Sequence, residues 1–419
     1  MNRAMTLGLT LAALAIGAAA PAQSAEPRTT ADPAAAPQEP TAPATTPAPD
    51  DRWTFRWRDT FRLESPDGDV RLRFGGRVQS DWAEISGDDG LEAALGGLDG
   101  GAEFRRADLY FEGLLHERIE FKAQYDFAGG AAELKDVYLG LVEVPVVGGL
   151  RVGHLKEPWS LEEQTSSKYV TFLERALPVE AFSPSRNVGF MAHRDFERLT
   201  WAAGAFKEAD DFGDAPQTDE WAWTARVTGV PWSAGDDRLL HLGAAASLRD
   251  PAGGEARFRS RPESHLAPRF VDTGVLSSDG VTLTGAEAAL VLGPLSLQGE
   301  WSRAAVDRPG AAGADLDGFY AFASWFPTGE SRPYDGGSFG RVRPRRPWGE
   351  GPGAWEVAAR WSSVDLDDRA IAGGHLDDLT VGLNWYPYAN VRWTLNYVRA
   401  DRDGAGAADV VQMRFQVDF

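Results

Sequence analysis

The sequence contains no cysteine, and only six of its 419 residues are histidine. Without thiols the chain can form neither a disulfide framework nor a thiolate metal site. None of the histidines has the spacing of an H-E-x-x-H zinc site, and there is no G-x-S-x-G nucleophile elbow or Walker loop. We therefore predict a protein that is not an enzyme, with no cofactor and no metal. Separate strands could still bring a serine and a histidine together, so a missing motif is weak evidence.

Long apolar runs are also missing. After Leu7–Ala20, no segment approaches the roughly 18 apolar residues that a transmembrane helix needs. Arg3, this apolar run and the small residues that follow it have the pattern of a secretory signal, so we predict a signal peptide over residues 1–25. Residues 26–60 begin Pro/Ala/Thr-rich and are predicted to be a disordered periplasmic segment, which leaves 61–419 as the folded domain.

An excess of positive charge is the third absence, because the formal net charge is −20. Phosphate backbones are bound by basic surfaces, so this balance argues against nucleic acid as a partner. The chain is rich instead in tryptophan, with 15 residues. Tryptophan favours a membrane–water interface, where its ring is in an apolar environment and its N–H stays hydrated.

Apolar and polar residues alternate through the stretch Phe104–Phe127. A period of two is the repeat of an extended strand, because successive side chains point to opposite faces. Each of the two runs has roughly the 9–11 residues with which a tilted strand crosses a bilayer. A soluble β-sandwich alternates in the same way, so this hairpin alone fits a sandwich and a membrane barrel equally well.

The predicted export signal and the last residues favour the barrel. Asp409–Phe419 alternates and stops on an aromatic residue, which resembles the closing strand of bacterial outer-membrane barrels. We count about 16 alternating segments, and an even number suits a single-chain bacterial barrel. We predict an all-β transmembrane antiparallel barrel in the outer membrane of a Gram-negative bacterium. The segments are Val70–Trp82, a strand starting at Arg105, Ile119–Phe127, Val137–Val142, Leu150–Lys156, Val188–His193, Thr200–Lys207, Trp221–Val230, Leu239–Leu248, Val281–Leu292, Leu295–Ala304, Gly318–Phe326, Ala354–Val364, Leu379–Tyr388, Val391–Ala400 and Val410–Phe419.

Two connections differ from short turns. Glu157–Asn187 carries many apolar residues that need cover, so we predict that it folds into the barrel as a constriction loop. The alternative is a rim loop that packs on a neighbouring subunit. Pro327–Gly353 falls on the periplasmic side, where turns should be short. Either it is an unusual inner loop, or the strand count is wrong by one, with Phe270–Val275 as the missed strand.

Basic side chains lie on the polar faces of the first strands. Basic groups in a narrow pore replace part of an anion's hydration, and the arginine fork can bond two oxyanion oxygens. Each of these side chains could instead pair with a wall carboxylate and stiffen the barrel. The predicted anion-selective, pore-lining residues are Arg71, Arg73, Arg77, Arg106 and Lys122, with Lys135 and Lys156 as further candidates near strand ends.

Eight short motifs of the chain carry a family resemblance, and they are Phe104–Ala107, Phe121–Gly129, Leu134–Tyr138, Val152–Glu163, Thr171–Pro178, Arg186–Gly189, Gly353–Glu356 and Ala359–Ser362. They are similar to those of the phosphate- and polyphosphate-selective porins of the O/P type. The resemblance extends from about Val70 to Phe419 and is most specific between Phe104 and Gly189. It implies a trimeric, sixteen-stranded, anion-preferring channel with a constriction loop and a basic pore lining.

These observations predict an outer-membrane porin, a passive diffusion channel for small anions such as phosphate or polyphosphate. Its expected partners are those anions, outer-membrane lipid and two further copies of the chain. One alternative is a general, weakly selective porin, and a less favoured one is a structural or adhesion barrel with no open pore. The general porin is kept open because the same polar faces also carry acidic residues, namely Asp81, Asp108, Glu112, Glu120 and Asp126.

Overall fold

A computed structural model of the chain describes residues 52–215 and 219–419. The predicted signal peptide and most of the predicted periplasmic segment lie outside these residues. No helix within the described part is long and apolar enough to cross a membrane. The helices are α1 (Asp89–Leu95), α2 (Leu161–Gln164) and α3 (Leu177–Phe182), with single 3-10 turns at Ala128–Gly130 and Ala252–Gly254.

The described residues are mostly β-strand. In chain order the strands are β1 (Thr54–Trp57), β2 (Phe61–Glu64), β3 (Val70–Gly87), β4 (Gly101–Leu115), β5 (Ile119–Asp126), β6 (Glu133–Val144), β7 (Gly148–Lys156), β8 (Arg186–Asp195), β9 (Leu199–Lys207), β10 (Ala222–Ser233), β11 (Arg238–Arg249), β12 (Glu255–Ala256), β13 (Arg259–Ser260), β14 (Val271–Asp272), β15 (Leu276–Ser277), β16 (Gly280–Leu292), β17 (Leu295–Asp307), β18 (Ala314–Trp325), β19 (Tyr334–Asp335), β20 (Ser338–Phe339), β21 (Ala354–Asp368), β22 (Ile371–Tyr388), β23 (Val391–Arg402) and β24 (Gly406–Asp418).

Sixteen of these strands close into an antiparallel barrel. Strands β3–β11, β16–β18 and β21–β24 each pair with the next in that order, and β24 pairs back with β3. The predicted fold class and the strand count are therefore confirmed. Phe270–Val275 is not a wall strand, because its two-residue strand β14 pairs with β13 within the connection between β11 and β16. The inner-loop interpretation of Pro327–Gly353 is the correct one.

A short hairpin, the first in the described chain and formed by β1 and β2, completes the barrel seam. Closing a tilted sheet requires a stagger between its first and last strands, which leaves one end of the first strand unpaired. Here β24 pairs with β3 only as far as Arg77, and β2 then pairs with β3 from Phe74 to Arg71. Phe419 joins the two segments through backbone hydrogen bonds of 2.8 and 3.0 Å with Gly76. A Cβ atom at Gly75 would lie 2.3 Å from the Phe419 carbonyl, so this seam requires glycine.

The wall has its apolar side outward and its polar side inward. On β17, for example, Leu295, Leu297 and Trp301 are exposed, while Gln298 and Glu300 between them are buried. Period-two alternation thus places an apolar surface toward lipid and a polar surface toward the lumen, as expected for a membrane barrel. We call the end of the barrel that carries Phe419 the inner end, and the opposite one the outer end.

Candidate functional site: the barrel lumen

Three long connections fold into the lumen. They are two outer loops, residues 157–185 and 250–279, and one inner loop, residues 326–353. Trp159, Leu177 and Phe182 of the first loop share an apolar cluster with Phe258 and Phe270 of the second and with lumen-facing wall residues. The prediction that Glu157–Asn187 folds inward is confirmed. Its apolar side chains are covered by this cluster, so the loop is not a rim loop in the described chain.

Arginines of the far wall hold the constriction loop by its backbone. Arg392 donates hydrogen bonds of 2.6 and 2.5 Å to the carbonyls of Val170 and Thr171. Arg414 Nη1 donates to the Leu173 carbonyl at 2.6 Å, and Arg360 Nη2 donates to that of Glu174 at 2.9 Å. Alternation in the sequence placed such residues in the lumen but did not show that they anchor a loop.

A buried glutamate anchors the start of the same loop. Glu300 accepts hydrogen bonds from the backbone N–H groups of Leu161 and Glu162, at 3.0 and 2.7 Å. Tyr320 donates its hydroxyl hydrogen to the same carboxylate at 2.5 Å. A carboxylate suits this position because the first N–H groups of a helix have no partner within the helix.

The inner loop is also held inside the barrel. Tyr334 lies with its hydroxyl 2.7 Å from Nδ1 of His241, and Arg226 Nη2 donates to the Gly337 carbonyl at 2.8 Å. Arg341 donates to the Tyr169 hydroxyl at 3.1 Å, so the inner loop and the constriction loop are in direct contact. The inner loop is long because it folds back into the barrel and fills part of the lumen, whereas an ordinary inner turn only joins two strands.

A cavity of about 950 Å³ lies between the constriction loop and the wall formed by β3–β8. Fifteen lysine or arginine residues line it, against eight aspartate or glutamate residues. The cavity surface is therefore basic, although the whole chain is acidic. The sign of the charges that line a polar channel determines which ions pass through it.

Six of the seven predicted basic residues line this cavity, and Arg71 does not. Arg71 is exposed near the inner end of β3. Five of the six lining residues contact carboxylates, which agrees with the alternative that these basic side chains pair with carboxylates and stiffen the barrel. Arg77 pairs with Asp108, and the other pairs are Arg73 Nη1 with Glu112 Oε1 at 3.3 Å, Lys122 Nζ with Asp136 Oδ2 at 3.3 Å, Lys135 Nζ with Glu133 Oε2 at 2.8 Å and Lys156 Nζ with Glu163 Oε1 at 3.1 Å.

Arg106 is the exception among the six. Its Nη1 donates to Gln79 Oε1 at 3.1 Å, and no carboxylate of the described residues lies within ion-pairing distance of it. The nearby Glu174 is held by Arg105 and Arg414, at 2.9 and 2.7 Å. Although burial alone would raise it, these neighbouring guanidinium groups keep the pKa of Glu174 well below its usual range. Arg106 thus presents a positive charge without a paired anion.

A β-bulge places two adjacent arginines on the same face. The register of β3 against β4 shifts between Gln79 and Ser80, so Gln79 is opposite Arg106 and Ser80 is opposite Phe104. Arg105 is the extra residue, and an extra residue in one strand changes the direction of the side chains around it. Both Arg105 and Arg106 consequently line the cavity. Simple alternation would have placed one of them on the lipid side.

Lys168 is a functional candidate that the sequence did not indicate. It lies on the constriction loop with Nζ 5.5 Å from the ring centre of Tyr110 and 5.4 Å from that of Tyr169. Within 52–215 and 219–419, no carboxylate pairs with it. Burial, with the nearby cations Arg77 and Arg341, lowers the pKa of Lys168 to about 8.

We expect the permeability of this lumen to anions relative to cations to fall as the pH rises through about 8, because Lys168 then loses its charge. The measurement is the reversal potential in a KCl gradient across that pH range. Lys168→Arg is the matched control, since its guanidinium stays charged throughout. An equal pH dependence in both proteins would contradict a role for Lys168.

The predicted acidic residues take part in wall networks. Asp81 pairs with Arg414 at 2.7 Å, and Glu120 pairs with Arg151 at 2.8 Å. Asp126 accepts two backbone hydrogen bonds at the end of its strand. Other cavity-lining cations were missed because they lie in loops, in the first hairpin or on less regular strands. They are Arg58, Arg62, Arg105, Arg151, Arg175, Arg186, Arg341 and Arg343, besides Lys168.

Comparisons with known proteins agree with this architecture. A family model described as "Phosphate-selective porin O and P" matches residues 72–419. An uncharacterized protein of Caulobacter vibrioides is 30% identical over 364 residues, covering 83% of this chain and 72% of its own length. Porin O of Pseudomonas aeruginosa is 25% identical over 385 residues, covering 81% and 85%. The anion-selective porin from Comamonas acidovorans superposes with a TM-score of 0.54 at 13% identity, covering 84% of this chain and 100% of that one, which bears on the fold alone.

Proposed function

The chain belongs to the family of phosphate-selective porins O and P, and from this premise we propose that its channel prefers small anions of the phosphate type. The protein is an outer-membrane porin, a channel rather than an enzyme. Membership of the family establishes the channel, whereas its preference for anions over cations and its class of solute are proposed here.

The basic cavity lining is the observation that carries this proposal. Where fifteen cationic and eight anionic groups surround the free space, the mean potential favours an anion over a cation. Arg106 and Lys168 contribute strongly, because neither pairs with a carboxylate of the described residues, as is also true of Arg58 and Arg62. A paired cation attracts a passing anion less, since its partner carboxylate repels that anion at nearly the same distance.

Arginine chemistry and the relatives' names support an oxyanion as the solute. The planar guanidinium donates two parallel N–H bonds that match two oxygens of a phosphate, whereas chloride is a single atom and offers no such pair of acceptors. The matching family is named for phosphate selectivity, and one relative carries the name Porin O. We propose polyphosphate as a further solute on the same grounds, a homotrimer from the sequence resemblance, and a cleaved signal peptide from the pattern of residues 1–25.

The second candidate is a general, weakly selective porin. The ion pairs of Arg73, Arg77, Lys122, Lys135 and Lys156 favour it, because they neutralise much of the lining. Mixed charges across a lumen orient solutes without strict selection. This candidate differs from the first in one measurable property, the response to phosphate.

Phosphate is expected to reduce the chloride current through single channels, because it occupies the same unpaired cations for longer. The measurement is single-channel current in KCl with increasing inorganic phosphate on either side. The control is the non-coordinating buffer HEPES at matched ionic strength. A chloride current that phosphate leaves unchanged would support the general porin.

A further inference from the structure

Three tryptophans form a cluster on the outside of the barrel at its inner end. Trp355 of β21 and Trp385 of β22 are cross-strand partners whose ring centres lie 5.7 Å apart. Trp348 of the inner loop packs edge-on against Trp385, also at 5.7 Å, and is 59% exposed. The indole N–H groups of Trp355 and Trp385 both donate to the Pro352 carbonyl, at 3.1 and 2.9 Å. The cluster is therefore fixed in place by the loop that crosses it.

Two exposed arginines belong to the same turn of the inner loop. Arg346 donates from Nε and Nη2 to the Glu350 carbonyl, at 3.2 and 2.7 Å, and its own carbonyl accepts a hydrogen bond from Gly353 N–H at 3.1 Å. Arg345 lies against Gly329, where a Cβ atom would be 2.8 Å from its Nη1. The turn thus ties the backbone of Arg346 to Gly353, next to the Pro352 carbonyl that accepts from both indoles, and Arg345 precedes it in the chain.

Neither Arg345 nor Arg346 has a carboxylate within ion-pairing distance in the part of the chain that the structure describes. The side chain of Glu330 is buried and accepts hydrogen bonds from the backbone N–H of Arg345, at 2.8 Å, and from the Thr328 hydroxyl. The side chain of Glu350 is exposed on the same turn. Both arginines also lie outside the lining of the cavity, so the anion channel does not account for them.

The remaining arginines of this segment behave differently. Arg341 pairs with Asp418 and Arg343 pairs with Asp59, and both line the cavity. The basic stretch 341–346 is therefore divided between two surfaces. One half lines the cavity and is neutralised, whereas the other half is exposed, lies outside the cavity lining and is not neutralised.

We propose that Arg345, Arg346 and Trp348 form a docking surface for the headgroup of an anionic phospholipid in the inner leaflet of the outer membrane. Guanidinium groups bind lipid phosphate, and basic residues next to a membrane surface attract anionic lipid. Tryptophan clusters at the level of the headgroups, where they contact glycerol and the first acyl carbons. Continuity with the lipid-facing wall of β21 and β22 favours a lipid over free phosphate, which has no apolar part for the indoles to contact.

Native mass spectrometry of the full chain in detergent tests this proposal, with phosphatidylglycerol and phosphatidylcholine as competing probes. Wild-type protein is expected to retain phosphatidylglycerol preferentially. The double variant Arg345→Gln/Arg346→Gln should lose that preference by about tenfold or more, because each basic residue contributes substantially to binding an anionic surface. Trp348→Ala should weaken the binding of both lipids.

The matched control is Arg118→Gln/Arg198→Gln, which removes two exposed charges from inner turns on another part of the barrel. It is expected to keep the wild-type lipid preference. Three results would overturn the proposal: equal retention of the two lipids by wild type, an equal loss in the control, or displacement of phosphatidylglycerol by equimolar inorganic phosphate. Circular dichroism of each variant shows whether the barrel has folded.

Discussion

Replacing Arg106 and Lys168 together by glutamate is expected to turn the proposed preference of the channel for anions into a preference for cations. These are the two cavity cations singled out above as having no carboxylate partner in the described chain. Each unit of charge changes the energy of an ion about 5 Å away by roughly 1 to 3 kcal/mol, depending on the water content of the lumen. The ratio of chloride to potassium permeability should therefore change by well over tenfold.

Arg71→Glu is the control for this experiment. Arg71 was predicted to line the pore, but it is exposed and lies outside the cavity. Salt screens exposed charges, so the substitution should change the permeability ratio by less than about twofold. If Arg71→Glu shifted the reversal potential as much as the double variant, selectivity would be determined at the inner end of the barrel rather than in the cavity.

Replacing Arg360 by methionine is expected to release the constriction loop. Arg360 is fully buried and lies between Glu162 of the constriction loop, at 3.0 Å, and Glu263 of the second outer loop, at 2.5 Å. Removing one partner of a buried ion pair costs about 3–5 kcal/mol, because the remaining charges lose their compensation. We expect a lower free energy of unfolding in urea and a larger, noisier single-channel conductance.

Arg399→Met is the matched control for Arg360→Met. Arg399 pairs with Asp409 at 2.8 Å on the outer wall, where both side chains are more than 40% exposed. Exposed pairs contribute about 0–1 kcal/mol, so neither stability nor conductance should change much. Unaltered conductance in Arg360→Met, together with a measurable loss of stability, would mean that the loop is held in the lumen without this residue.

The barrel could be predicted from the sequence because the pattern that produces it, the alternation of apolar and polar residues, is local to each strand. Each wall strand alternates along its own length, and the sixteen predicted segments all coincide with wall strands. The constriction loop was predictable for a related reason: its many apolar residues need cover. The inner loop offered no such signal, since its buried Phe339 and Val342 are spaced between glycines, prolines and arginines.

The pairing of charges could not be predicted, because it depends on contacts between distant parts of the chain. Arg414 and Asp81 are 333 residues apart, and they meet only because the last strand closes on the first. Alternation identifies which side chains face inward but not which carboxylate each one reaches. Arg106 appeared equivalent to Arg73 and Arg77 in the sequence. The bulge at Arg105 and the capture of Glu174 by other arginines distinguish it.

The net charge of the whole chain did not predict the charge of the cavity lining, for a similar reason. A chain of formal charge −20 encloses a cavity in which basic residues outnumber acidic ones. Asp88, Asp89 and Glu92, for example, lie in the first outer connection and do not line the cavity. Selectivity depends on the charges within reach of the permeating ion, because salt screens the more distant ones.

The reversal potential of the wild-type channel in a KCl gradient tests the central claim most directly. A potential close to that of chloride is the result expected from the basic cavity lining. A potential close to that of potassium would contradict the assignment of this cavity as an anion path.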